Sequence, residues 1–464
     1  MKKNSSRKNM HLIMALGLAI VFSCNTGYTQ SWTTVGSSGF SAGTVRIYIS
    51  IATAPDGTPY VVYSDNANGN KATVMKDSSN IWVNVGSPGF SAGAAGYLTI
   101  AIDSNGTPYI AYIDSFYNDK GIVMKYIGGS WVTLGGGPFS DSGVNTTAIA
   151  IGQNDTPYIV CLDNSYGQGD AVVRKFDGNN WVVVGGGPCS AGSVGWTSIA
   201  IGQDGTPYVA YQDDTNDGKA TVMKYTGGVW AAVGSPGFSI YYADEPSIAI
   251  GANDSLYVAY GDAYYGGATT VMKYNDSTWE TVGPAGFTGA PTVGYTNWIA
   301  VDGCGTPYIV FTDNDNSQVG VMKYTDGNWT TVGGNIGYST VVDVGNTALA
   351  IDGNGMPYVA YIDTTEGDRA TVVTTTTGIC NTGVPVVTST ADWQVYPNPA
   401  TTALTVNNPG GSYVITDMLG RTLLGGSLTE GTQSIDISSL AAGSYIFTGN
   451  KDGHRDYNTV IVKQ

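Results

Sequence analysis

Four short apolar runs recur in a fixed order along most of the chain, separated by Asp-Gly or glycine-rich turns. In one unit, residues 198–201 (S-I-A-I) precede the turn Asp204-Gly205. Then come P-Y-V-A-Y-x-D, A-T-V-M-K-Y, a Gly-Gly turn and a strand opened by Trp230. Alternation of apolar and polar positions in the second and third runs is the period of a β-strand, and Asp-Gly and Gly-Gly supply hairpin turns. No helical periodicity of useful length follows the first thirty residues.

The pattern repeats about every fifty residues. Trp32, Trp82, Trp131, Trp181, Trp230, Trp279 and Trp329 each open a W-x-x-V/L-G strand. A second marker, usually G-T-P-Y, places Tyr60, Tyr109, Tyr158, Tyr208, Tyr257, Tyr308 and Tyr358. Four antiparallel strands in each of seven units predict an all-β, seven-bladed β-propeller. Trp32 precedes the first S-I-A-I-type run, whereas no tryptophan follows the last unit's strands until the C-terminal region. The leading strand is therefore expected to complete the last blade as its outermost strand, which removes a free edge.

Composition fits this picture: 65 glycines, 31 tyrosines and 12% charged residues suit many short strands and tight turns. The N-terminus departs from it. Lys2, Lys3, Arg7 and Lys8 precede an apolar run over 12–22, the arrangement of a secretory signal peptide in residues 1–30. Cys24 leaves lipidation as an alternative. Removing these four cations from a chain of net charge −16 leaves it near −20. Nucleic acid and anionic membrane are poor partners for so acidic a surface. A neutral glycan, a cation or a basic protein stays open, as does acidity that only keeps the protein soluble.

Most repeated residues read as structure. The tryptophans are expected to pack between blades, and Met75, Met124, Met223, Met272 and Met322 to fill the core. Carboxylates also recur at the ends of the second strands: Asp65, Asp114, Asp163, Asp213, Asp262, Asp313 and Asp363. Their short side chains can cap the following turns by accepting backbone N–H bonds. The alternative is a calcium site in segments such as 213–217, where oxygen ligands cluster. No other cofactor is expected.

Recognition is expected where the repeat breaks. Two residues before the S-I-A-I alignment, the units give Tyr48, Tyr97, Thr146, Trp196, Glu245, Thr296 and Asn346, and Trp298 replaces a small residue one step deeper. These positions should line the mouth of the central channel. Aromatics beside a carboxylate and several hydroxyls suit a sugar, held by stacking and hydrogen bonds; the other reading is a plug for a narrow channel.

Two cysteines break the repeat together. Cys161 takes a second-strand position that is Tyr or Phe in the other units, and Cys189 takes the loop position of Phe40, Phe90, Phe139, Phe238 and Phe287. Should those aromatics touch elsewhere, the third unit is expected to exchange the contact for a Cys161–Cys189 disulfide, stabilising by about 3 kcal/mol. Cys304 and Cys380 carry no such argument.

After residue 377 the pattern changes. V-Y-P-N-P-A-T-T-A-L-T-V (395–406), V-I-T-D-M-L-G-R (414–421) and I-D-I-S-S-L-A-A-G-S-Y-I-F (435–447) read as a small antiparallel β-sandwich, its start stiffened by Pro397 and Pro399. These three motifs, in order, closely resemble the type A sorting domain of the type IX secretion system of Bacteroidetes-type bacteria. The resemblance implies passage through the periplasm and contact with that machinery. Release from the cell, or retention at its outer surface, would follow. The expected division is a signal peptide (1–30), a propeller (31–377), a linker (378–391) and a sorting domain (392–464).

For the propeller, a glycan- or protein-binding module is the leading expectation. The alternative is a polysaccharide hydrolase or lyase. Residues 31–377 contain no histidine, which excludes a His general base, a His metal ligand and a Ser-His-Asp arrangement there. Paired carboxylates remain, with Glu245, beside Asp244, and a ring Asp as the acid/base candidates.

Overall fold

The computed structural model describes residues 31–375, apart from 168, 252–253, 290–297, 314–317, 335 and 339–346, and residues 394–463, apart from 398, 409, 418–420 and 452–453. The side chains of 47, 313, 337–338, 394, 408, 450–451 and 454–460 also lie outside the description. The expected signal peptide and linker, with Cys24, Cys380, Thr296 and Asn346, fall outside the described residues.

The described chain is all-β, with short 3-10 turns as its helical elements. The first complete sheet joins Val45–Thr53, Pro59–Asp65, Lys71–Asp77 and Trp82–Asn84 in sequence order. The next five begin at Ala95–Ile102, Val144–Ile151, Val194–Ile201, Ala243–Ile250 and Trp298–Val301 and keep the same order. Register is conserved from sheet to sheet: Tyr60 faces Lys76, Tyr109 faces Lys125, and Tyr308 faces Lys323. A seventh sheet runs Thr347–Ile351, Pro357–Asp363, Arg369–Thr375 and then Trp32–Thr34, with Trp32 opposite Thr375.

The local chemistry explains the recurrence. In the first hairpin of the second sheet, the Asp103 carboxylate accepts the N–H groups of Asn105 and Thr107 at 2.9 and 2.8 Å. Gly106, at φ +79°, supplies the left-handed turn conformation. Most second strands start at a proline, where a missing N–H removes no ladder bond. The second strands of the first two sheets are buried along their whole length, because both faces are packed against neighbouring sheets.

The core lies between sheets. One buried cluster joins Ile49, Ile51 and Val61 of the first sheet to Ala348, Ala360 and Ile362 of the seventh. The next joins Val62 and Val74 of the first to Ile100 and Ile110 of the second, and the series continues along the chain. The tryptophans stitch these layers: each indole N–H donates to a backbone carbonyl of the neighbouring sheet. Trp82 donates to Val35, Trp131 to Val85, Trp279 to Val233 and Trp329 to Val282, each at 2.7 Å. Trp32 reaches Val332 in the same way at 2.7 Å, across 300 positions of sequence. Loop phenylalanines lie flat on the rings, with Phe40–Trp82 at 4.2 Å and Phe287–Trp329 at 4.3 Å between centroids. The methionines complete this core, with Tyr63, Tyr112 and Tyr260 pointing their hydroxyls at Met75, Met124 and Met272.

The third sheet corrects an expectation. Cys161 and Cys189 are buried free thiols, not a disulfide. The contact on which that expectation rested runs between sheets: Phe40, whose N–H donates to Ala370 of the seventh sheet, meets Tyr63 of the first edge-on at 6.5 Å. In the third sheet Arg174 replaces the methionine, and the small Cys161 leaves room for its guanidinium. Arg174 forms a buried ion pair with Asp163 and places Nη1 3.5 Å from the Cys161 sulfur, while the Cys189 thiol donates to the Ala171 carbonyl at 3.3 Å. Burial pushes the Cys161 thiol up to about 12, although Arg174 pulls the other way. The exchanges at 161 and 174 trade a Tyr–Met contact for a salt bridge, with Phe139 of the preceding sheet kept 5.9 Å from the guanidinium.

In the C-terminal region, Gln394–Tyr396, Ala403–Asn408 and Gly431–Asp436 form one sheet, and Thr422–Leu428, Gly411–Asp417, Gly443–Lys451 and His454–Lys463 form another. They close over one core, in which Leu404, Val406 and Ile435 meet Ile415, Phe447 and Ile461.

Candidate functional site

The carboxylates at the ends of the second strands are turn caps. Asp65, Asp114, Asp213, Asp262 and Asp363 accept the backbone N–H two residues on, and four of them also accept a third-strand threonine hydroxyl, as Thr73 donates to Asp65 at 3.0 Å. Asp163 caps Ser165 in the same way. Burial alone would raise Asp163, but bonds from Ser165 and Arg174 outweigh it and hold the carboxyl below its ordinary range. The Asp313 side chain lies outside the described residues. Among the described residues no group of three or more His, Cys, Asp or Glu side chains is placed to hold a metal ion.

The innermost strands behave differently. Their ladders to the second strands skip residues near the start: Tyr97 and Leu98 in the second sheet, Thr146 in the third, Trp196 in the fourth, Glu245 and Pro246 in the fifth. Tyr97, Thr146, Trp196 and Glu245 sit at φ +51°, +52°, +23° and +46°. Left-handed backbone costs a non-glycine residue roughly 1–2 kcal/mol. A β-bulge re-aims the side chain it carries. Four neighbouring sheets thus adopt a costly conformation at the positions where the repeat varies most.

The re-aimed side chains meet in a cavity of about 100 Å³ lined by Tyr48, Tyr97, Thr146, Trp196, Glu245 and Trp298, with hydroxyls of Thr147, Thr197, Ser198 and Ser247 around them. Tyr48 and Tyr97 lie 4.6 Å apart at 34°, and Tyr97 and Trp196 are 6.3 Å apart at 47°. Thr147 donates to the Tyr97 carbonyl at 2.5 Å, and Thr146 and Thr197 share a hydrogen bond at 3.3 Å. These bonds cross between sheets and fix the rim. A second hollow of about 420 Å³ shares Tyr48 and Tyr97 and adds Arg46, Asn70 and Asp119.

Glu245 is the single carboxylate among the described cavity-lining residues. Its Oε1 is enclosed and has no hydrogen-bond partner. Desolvation, reinforced by the Asp244 charge, pushes its carboxyl well above the usual range. None of the described ring aspartates lines the cavity. The sequence pattern located six of these residues; it missed the Thr147 and Thr197 hydroxyls and the bulges, which leave no local signature beyond Gly96 and Gly195 just upstream.

Residues 394–463 match the family described as the secretion system C-terminal sorting domain. The chain is therefore an exported protein, secreted or placed at the cell surface, and its tail addresses the type IX secretion machinery. No described helix is long and apolar enough to cross a membrane. No curated protein matches the chain. Among solved structures, the BP39L lectin of Burkholderia pseudomallei is 16% identical, with a TM-score of 0.53 over 74% of this chain and 99% of the lectin, which shows a shared fold. PorZ, a surface component of the type IX secretion system of Porphyromonas gingivalis, is 14% identical at TM-score 0.43, over 89% of this chain and 59% of PorZ. An ulvan lyase of polysaccharide lyase family PL25 is 14% identical at TM-score 0.48, over 73% and 95%.

Proposed function

We propose that residues 31–377 form a seven-bladed β-propeller closed by its leading strand, and that this propeller is a glycan-binding module delivered outside the cell by its sorting domain. Pairing of Trp32–Thr34 with the seventh sheet, the Trp32–Val332 hydrogen bond and the buried cluster shared by first and seventh sheets support the ring. The binding reading rests on one observation: four strained bulges in adjacent sheets direct Tyr97, Thr146, Trp196 and Glu245 into one cavity. Tyr48, Tyr97, Trp196 and Trp298 offer ring faces to a sugar, and the Glu245 carboxyl, whose Oε1 has no partner, offers a hydrogen-bonding group inside the cavity. The shared fold with a lectin agrees with this assignment.

A glycan array probed with the secreted protein tests it. Binding that falls in Trp196→Ala and Tyr97→Ala supports the cavity; a folded protein that binds no glycan, or variants that bind unchanged, overturns it. An enclosed carboxylic acid is also what a polysaccharide hydrolase or lyase would use, with Glu245 as the acid. Shortened products from a bound glycan would favour that second reading.

A further inference from the structure

Beside the cavity, on the same face, lies a patch of exposed tyrosines. Second strands end where inner strands begin, as Asp262 faces Ala243, so the 3-10 turns after the second strands stand on the side where the bulges open. In the fifth sheet that turn carries Tyr264 and Tyr265, and the loop leading into its inner strand carries Ile240, Tyr241 and Tyr242. Tyr241 and Tyr264 are 56% and 58% exposed, and Ile240 is 58% exposed.

These rings are arranged, not scattered. Tyr241 and Tyr264 lie 5.5 Å apart at 36°, and Tyr264 meets Tyr265 edge-on at 5.0 Å. Two of the four rest on glycines where a side chain would collide: a Cβ on Gly218 would come within 2.3 Å of the Tyr242 ring, and one on Gly286 within 2.6 Å of Tyr265. Tyr242 and Tyr265 are thus seated on backbone, and Tyr241 and Tyr264 are the more exposed of the four. Exposed apolar rings grouped this way mark an interaction surface. Tyr242 stands three residues before Glu245, so the patch lies within about 10 Å of chain from the cavity.

We propose that Tyr241, Tyr242, Tyr264 and Tyr265 are a second contact surface for a neutral polysaccharide chain, which continues outward from the central cavity. This rests on the glycan-binding reading above. Flat rings with hydroxyl tips suit pyranose faces, and the charges that act on Tyr242, Asp244 and Asp214, are acidic, which disfavours an anionic chain.

The test uses immobilised cellulose, xylan, mannan, galactan and starch, with the mono- and oligosaccharides of whichever polymer binds. The double variant Tyr241→Ala/Tyr264→Ala is expected to lose about tenfold in affinity for the polymer while keeping that for the monosaccharide. Tyr241→Phe/Tyr264→Phe should retain polymer binding, since the rings remain. Trp196→Ala should weaken both ligands. Polymer binding unchanged in the double alanine variant overturns the second surface, leaves the cavity intact and points the patch toward a protein partner. Loss in neither that variant nor Trp196→Ala, or no binding to any polymer, overturns both.

Discussion

The outer and inner rims of the repeated sheets obey opposite rules. On the outside, the same tryptophan makes the same indole bond to the neighbouring sheet, whether the partner is 47 positions away, as for Trp82, or 300, as for Trp32. On the inside, the bulge position is Tyr, Thr, Trp or Glu from sheet to sheet, and the backbone is strained there. Repetition marks packing, where every interface must meet the same geometric demand. Variation over a conserved bulge marks a place where the side chain serves something other than the sheet.

The comparison can be broken most forcefully on the outside. Trp279→Ala removes a buried ring and its bond to Val233, and should cost about 4 kcal/mol in denaturant unfolding, with glycan binding by the folded fraction unchanged. Trp32→Ala asks the same of the proposed closure. A comparable loss supports a ring, and a negligible one argues for an open array. Next in size is Arg174→Met, which restores the repeat residue but strands the buried Asp163 carboxylate. Its cost should approach 3 kcal/mol, again by equilibrium unfolding. Because the Asp163 carboxyl is held low when folded, that stabilisation should be full above the ordinary aspartate range and fade as pH falls through it.

Inside, Trp196→Ala should cost less stability than Trp279→Ala, since the Trp196 ring is only half-buried. It should weaken glycan binding about thirtyfold, roughly 2 kcal/mol, in titration calorimetry. The smallest effect belongs to Glu245→Gln. Its folded carboxyl holds a proton that the unfolded chain releases near the ordinary glutamate range, so wild-type stability should decline as pH rises from there through the raised folded value. The glutamine variant should lose that decline, measured as melting temperature against pH. Asp244, raised by its own burial, shares this response. For the third sheet, a thiol reagent should leave Cys161 and Cys189 untouched in the native protein and modify both after unfolding.

Much of this was legible beforehand. The spacing of tryptophans and G-T-P-Y markers located the strands and their order, because strand period and turn chemistry are local properties. The aspartate caps were legible for the same reason: a carboxylate binds a backbone N–H two residues away wherever the turn allows it. The cysteines show where that reasoning stops. Two aromatic-to-cysteine exchanges in one unit suggested that the thiols meet, yet Arg174 on the neighbouring strand takes the contact with Cys161, and Cys189 bonds to the Ala171 carbonyl. The tyrosine patch of the fifth sheet was written as two Tyr-Tyr pairs that nothing local distinguished from ordinary loop residues.

What the sequence determined by itself was therefore the strand pattern, its sevenfold period and the address carried by the C-terminal motifs, since each depends on residues close together in the chain. The tertiary structure alone decided which carboxylate lines the cavity without a partner for its Oε1, which thiol meets a guanidinium, and which rings share a surface. Those outcomes depend on contacts between side chains that different strands and loops bring together, where packing and desolvation, not local propensity, set the energy.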